Sequence, residues 1–422
     1  MKMYTILKQY VFKPAYELLF RISPNLADWI ESQICKVKAK HTYNKVFLKQ
    51  CLCIDISVVV RQDKKTGIQR VVNNIFNEIK NNWENVIGTQ LYNGKIVSDY
   101  SLIYKKNELR EIELGEGSHV LFLDSAWNYY RDAQVVLDKL EHGEIESSVV
   151  IYDMFPLTHP EWFPSNHFKH VYYKWCKLFF NRVDNVICIS QKVANDVIEY
   201  YEKEKISRSK KLNIFYIPMG ADILIDTNIN ESMIRKEIKN LFSRPTYIMV
   251  GTVEPRKGHN IVLKALKNIF NSDIDVQLLI IGKDGWSNQE FKVNLQNSAY
   301  YNKKIFWYQD ITDAELVYCY KNAEALIAAS IDEGYGLPII EAAYYGLPII
   351  CSDIPIFREV TCGNASFFKV NNYKSLANTI AFCFKCNAYL DSSKIKIYTW
   401  NEVSNLLIKI ITKKATPYQI IK

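Results

Sequence analysis

The sequence predicts an α/β protein of two doubly wound, Rossmann-like domains, with a basic helical extension ahead of them. Three observations lead there. At 422 residues the chain exceeds what one hydrophobic core usually serves. Short, continuous apolar runs recur with helical stretches between them, which is how parallel strands buried on both faces read. The runs fall into two series of five, parted by a polar stretch without strand character.

Residues 1–50 fit neither series. Tyr4, Leu7, Val11, Leu18, Leu19, Ile22, Leu26, Trp29 and Ile30 recur at loosely helical spacing, broken near Pro14 and Pro24. Two readings stand side by side: interfacial helices on an anionic leaflet, or a basic extension packed on the first domain. "LCIDISVVV", "HVLFLD", "SSVVIYD", "NVICIS" and "LNIFYIP" outline an N-terminal domain over residues 51–225. The polar break falls at about 221–240. "TYIMVG", "VQLLIIG", "KIFWY", "ALIAAS" and "LPIICSD" then outline a C-terminal domain over 240–400. Residues 401–422 read as a helical segment returning to the N-terminal domain.

Composition narrows the class. Hydrophobic residues make up 48% and charged ones 23%, as in soluble globular proteins. The net charge of +8 is concentrated: residues 1–50 carry nine Lys/Arg against three Asp/Glu. That favours an anionic surface as partner. No recognition motif accompanies the charge, so nucleic acid is not expected. No apolar stretch reaches the ~20 residues of a membrane span, and Lys8, Gln9 and Lys13 interrupt any secretory core. The expectation is a cytoplasmic protein, peripheral on the inner face of the membrane. The ten cysteines are then mostly reduced core residues. Cys383 and Cys386 lack a second pair at zinc spacing, so no metal site is expected.

Ligands of open parallel sheets bind beyond the carboxyl ends of the strands. After "TYIMV" come Gly251 and Thr252, then Glu254, Arg256, Lys257 and Gly258, with Pro255 stiffening the turn. Two adjacent cations before a helix suit a diphosphate, although such a loop also reads as a solvated basic turn. "GKDGW" supplies Gly282, Lys283, Gly285 and Trp286, either a close approach for a nucleobase or a turn with an anchoring Trp. In "EGYGLPIIEA", Gly334, Tyr335, Gly336 and Leu337 open a helix whose free N–H groups face an anion, and Pro338 suits its first turn. Glu333 and Glu341 would accept hydrogen bonds from sugar hydroxyls on either side of that anion. Paired carboxylates can also hydrolyse glycosides, but only when they face each other across a cleft.

These motifs carry a resemblance. "EGYGLPIIEA", "VGTVEPRKG", "IIGKDGW", "TGIQRVV" (66–72), "YDMFPLTHPEWF" (152–163) and "CISQKVANDV" (188–197) together resemble the retaining glycosyltransferases of family four. The resemblance implies the GT-B fold, with the two domains facing across a cleft. "TGIQRVV" and "EPRKG" are similar to the branch that adds mannose or rhamnose to bacterial surface polysaccharides. It implies that Lys257 and Arg256 hold the donor diphosphate, Glu333 contacts the transferred sugar and Glu341 the ribose. Relatives commonly place Arg where Thr252 stands, which leaves open whether Arg256 or Lys257 is the main phosphate contact. They also carry His where Tyr152 stands, leaving Asp153 or His159 to approach the sugar or the acceptor hydroxyl. Gly67 is implied to lie against the donor phosphates. Arg70, His159 and Trp127 are acceptor-side candidates, with a core role for Trp127 equally open.

The expected reaction passes a hexose from a nucleoside diphosphate to a hydroxyl of a lipid-linked glycan, with retention, no metal and no cofactor. "DID" (Asp273, Asp275) matches a metal-binding pattern but precedes its strand, away from the site. A nucleotide-sugar epimerase of the same fold and a silent polysaccharide-binding subunit are the rival readings.

Overall fold

The computed structural model describes residues 43–61, 66–99, 109–163, 165–206, 208, 210–222 and 231–421. The basic segment over 1–42 and the middle of the polar break lie outside them. Sixteen strands form two sheets among the described residues. The first is built from β1 (Lys45–Leu48), β2 (Leu52–Asp55), β3 (Val86–Tyr92), β4 (Lys95–Asp99), β5 (Leu109–Leu114), β6 (His119–Phe122), β7 (Glu146–Ile151), β8 (Asn185–Cys188) and β9 (Leu212–Tyr216). The second holds β10 (Thr246–Val250), β11 (Gln277–Ile281), β12 (Ile305–Tyr308), β13 (Ala325–Ala328), β14 (Ile349–Ser352) and β15 (Ser366–Phe368). The last strand, β16 (Gln419–Ile421), returns to the first sheet.

The first sheet runs β1-β5-β4-β3-β2-β6-β7-β8-β9-β16, and the second β12-β11-β10-β13-β14-β15. The second is parallel throughout. In each sheet the strand order reverses at one place, between β2 and β6 and between β10 and β13. Adjacent connections leave in opposite directions there, opening a crevice at the carboxyl ends. The ten apolar runs all contain strands, with interiors such as Ile54, Leu121, Val149, Ile187, Ile248 and Leu279 fully buried.

Three details depart from the sequence reading. Ser57–Arg61 is a short helix, although Val58, Val59 and Val60 read as strand. Asp124 accepts from the N–H groups of Val58 and Val59 at 2.7 and 2.9 Å, and these caps outweigh β-branched propensity. Residues 45–48, assigned to the extension, are the edge strand paired with β5. Strands β3 and β4 form a hairpin around Asn93 and Gly94, both at positive φ. That is the turn an Asn-Gly pair favours.

After the second sheet the chain crosses back. Trp400 N–H donates to Asp222 at 2.8 Å, and Asn401 on the helix Trp400–Ile411 bonds Glu78 on the helix Gly67–Asn82. β16 then pairs antiparallel with β9. No helix among the described residues is long and apolar enough to cross a membrane.

Candidate active site

The two crevices face each other, and the loops after β10 and β13 meet at the second sheet's switch point. Pro255–Lys257 forms a 3-10 turn that ends at Gly258, whose positive φ starts the helix His259–Phe270. A side chain at 258 would place Cβ 2.1 Å from the Ala329 carbonyl oxygen, so the loops touch backbone to backbone. This contact delivers Arg256 and Lys257 to Glu333. Each cation pairs with one oxygen of that carboxylate, and Ser330 donates to it at 2.8 Å.

Burial pushes the Glu333 carboxyl up, but the Arg256 and Lys257 charges outweigh it and hold it at about 2. Arg256 also meets buried Glu254 at 2.7 Å and lies over the Phe155 ring. Its fork is therefore shared between two carboxylates, while Lys257 meets one. Lys257 also lies along Gly251, where an added Cβ would stand 3.6 Å from the ammonium nitrogen. Gly282, at the end of β11, packs against the Gly251 carbonyl so closely that a Cβ would fall 1.9 Å from it. Thr252, in the loop after β10, lies beside Gly285 in the loop after β11, while Lys283 is on the exposed side of that second loop.

Gly336, at φ 100, caps the helix Leu337–Tyr344, with Pro338 in its first turn. Gly334 and Gly336 both stand where a Cβ would collide, with the Tyr152 carbonyl and the Phe357 ring, and the Tyr335 side chain is buried and bonds the backbone of Met219. Only the backbone of Tyr335 is therefore available to a ligand. Glu341 sits one turn inside the helix, accepting from Tyr320 at 2.7 Å and from Arg70 at 2.6 Å.

The first domain closes over this site. Gly67 opens the helix Gly67–Asn82, held by a Thr66–Gln69 capping box, and a Cβ on it would stand 3.7 Å from Leu337. Ser190 donates to the Gly334 carbonyl at 2.8 Å. Glu359 accepts from the N–H groups of Gln191 and Lys192, capping the first domain's helix Gln191–Lys203 from across the cleft. Lys192 bonds Asp332 at 2.7 Å.

Asp153 follows β7 and accepts from Phe155 N–H at 3.1 Å. Burial raises its carboxyl to about 6 despite the opposing Arg256 charge, so it borders the cationic clamp from the other domain. His159 stacks on Trp162 at 3.9 Å and stands 3.8 Å from Asp332. Trp127 instead packs edge-on against Phe168 and Tyr172, and nothing described ties it to the Glu333 cluster. Trp286 crosses the cleft to donate to the Trp162 carbonyl at 2.8 Å, which makes it an anchor between domains. Asp275 pairs with Lys304 at the opposite end of its sheet.

Sequence reasoning passed over Lys192, Asp332, Glu359 and Tyr320. Lys192 and Asp332 stand inside or beside quoted motifs, but their partner lies 140 residues away, so no local signal marks the pairing.

This frame is GT-B, the fold of two facing Rossmann-like domains found among glycosyltransferases. A structure of Anabaena Alr3699/HepE in complex with UDP and glucose superposes with a TM-score of 0.56 at 13% identity, covering 87% of this chain and 98% of that one. A glycosyltransferase from Rickettsia africae gives 0.55 at 18%, covering 89% and 100%. Residues 232–398 match the family described as Glycosyl transferases group 1. Among curated proteins, the chain is 28% identical over 386 residues to the serotype-specific mannosyltransferase WbdA of Escherichia coli, covering 85% of this chain. It spans only 46% of that relative's length. It is 26% identical over 236 residues to the O-antigen chain mannosyltransferase RfbU of Salmonella typhimurium, covering 55% of this chain and 59% of that one.

Proposed function

We propose that the protein is a retaining, metal-independent glycosyltransferase. It moves a hexose, mannose or rhamnose, from a nucleoside diphosphate to a hydroxyl of a growing, lipid-linked surface glycan. The observation that carries this reading is the convergence of Lys257 and Arg256 on Glu333 at the switch point, beneath a second domain. The mannosyltransferase names of the relatives favour mannose.

In this reading Lys257 turns to the donor diphosphate, with Gly251, Thr252, Gly282, Lys283 and the start of the helix at Leu337 around it. Arg256, shared between two carboxylates, keeps Glu333 oriented toward the transferred sugar. Glu341 takes the ribose. The negative charge that grows on the leaving diphosphate is met by Lys257 and by the free N–H groups after Gly334. A donor phosphate oxygen accepts the acceptor proton on the face from which the bond departs. No protein group need be a strong base. Asp153 and His159 border the sugar and the acceptor, while Trp127 serves packing.

Thermal unfolding in the presence of GDP-mannose, dTDP-rhamnose and UDP-sugars tests the donor. At a hundred times its dissociation constant a ligand adds about 2.7 kcal/mol, an easily read shift. GDP-mannose should give the largest; no shift with any nucleotide sugar would refute the reading.

The excess of basic residues over 1–50 also supports attachment to an anionic inner leaflet, each cation near the surface contributing about 1 kcal/mol. The protein should sediment with anionic vesicles, less so in high salt, and lose this when residues 1–42 are deleted. Equal sedimentation with neutral vesicles would count against attachment by charge.

A further inference from the structure

The carboxylate assigned to the ribose already has partners on both oxygens. Glu341 keeps only 4% of its side chain exposed; Tyr320 holds one oxygen and Arg70 the other. The two partners differ in kind. Tyr320 is fully buried and belongs to the same domain as Glu341. Arg70 comes from the opposite domain, as the fourth residue of the helix Gly67–Asn82, and retains 32% exposure. Each oxygen can accept a second hydrogen bond, but with only 4% exposed a ribose diol reaches them only where one of these donors gives way. Of the two donors in its way, Arg70 is the one free to move.

We propose that Arg70 is a donor-site residue supplied by the acceptor domain. It is held on Glu341 until a nucleoside diphosphate arrives and then passes to the diphosphate. This reassigns it from the acceptor side and rests on the reading of Glu341 as the ribose contact. The chemistry supports the transfer. The diphosphate hangs from the same ribose, a few bonds from the diol, so a guanidinium displaced by the hydroxyls is already beside the phosphates. Its planar fork suits a phosphate as well as a carboxylate. The starts of the helices Gly67–Asn82 and Leu337–Tyr344 adjoin at the same place and add their partial positive charge. Arg70 then bridges the domains through the ligand rather than directly to Glu341.

The consequence has opposite signs for two ligands. On Glu341, Arg70 competes with the ribose and opposes a bare nucleoside; on the phosphates it favours the nucleoside diphosphate. Full-length wild type, Arg70→Gln and Arg70→Lys are titrated calorimetrically with GDP, UDP and dTDP. The matching nucleosides are followed by ligand-observed NMR, which reads millimolar affinities. For the diphosphate that binds wild type most tightly, Arg70→Gln should weaken binding at least tenfold. Its nucleoside should bind as well as before or better, and Arg70→Lys should lie between for the diphosphate. Loss of both ligands by the same factor would overturn the proposal and leave Arg70 a structural bridge. Arg70→Lys carries the same comparison if Arg70→Gln does not fold. Glu341→Gln separates the two readings. Unchanged nucleoside affinity there would remove Glu341 from the ribose and the proposal with it. Weakened nucleoside affinity, alongside parallel losses in Arg70→Gln, would overturn the proposal alone.

Discussion

Gly334 of the second domain stands against the backbone carbonyl of Tyr152 in the first, so closely that a Cβ at 334 would lie 2.2 Å from that oxygen. Here the domain interface passes through the candidate site, because Tyr152 precedes Asp153 and Gly334 follows Glu333. The Ser190 hydroxyl on the Gly334 carbonyl holds the same contact. A methyl group must push the two backbones apart, and displacements near 1 Å can cost about a hundredfold in rate. Gly334→Ala should therefore lower kcat by about two decades while both domains remain folded. Wild-type turnover, with an unchanged circular dichroism spectrum, would show that the closed interface does not matter to the chemistry.

Lys257 has one carboxylate partner and lies over Gly251, where a phosphate can replace Glu333 as its counter-charge. Lys257→Ala should reduce turnover by roughly two to three decades, the scale of one transition-state charge stabiliser. The wild type should keep its activity in EDTA. Activity abolished by EDTA and restored by magnesium or manganese would transfer charge stabilisation from side chains to a metal.

Asp55, at the end of β2, yields a pH dependence of stability. Burial raises its carboxyl to about 7; Ser57 opposes the shift and the Asp124 charge adds to it. One of its oxygens is buried without a hydrogen-bond partner. The folded protein therefore holds this proton more tightly than the unfolded chain, where the group titrates near 4. Its contribution favours folding increasingly as pH falls from about 7 toward 4, and is lost as pH rises through 7. At full extent that is about 4 kcal/mol. Asp55→Asn, neutral throughout, should raise Tm by several degrees at pH 8, by about a third as much at pH 5, and change it little at pH 4. Equal destabilisation at pH 8 and pH 4 would contradict the assignment.

Ten of the sixteen strands were legible as short apolar runs, while β1, β3, β4, β5, β15 and β16, the last in a segment read as helical, were not. The order of motifs placed Arg256, Lys257, Glu333 and Glu341 on one side of one sheet. What escaped was set by distant partners. The run Val58–Val60 became helical because of a carboxylate 66 residues away. Arg70 and Glu341 are separated by 271 positions, so no periodicity joins them. Glu333 was legible as a polar group at a strand end, but not as the shared counter-ion of both cations. The hairpin at Asn93–Gly94 is different, since its turn residues stand in plain view in "YNGK" and were passed over.

The central claim is retaining transfer of a hexose from a nucleoside diphosphate. Incubating the protein with GDP-α-mannose and a mannose-terminated acceptor on a hydrophobic tag tests it most directly. The one-bond carbon–proton coupling at C1 of the added residue reports its anomeric configuration. The account predicts an α-linked mannose, formed in the presence of EDTA and lost in Lys257→Ala. A β-linked product would contradict it.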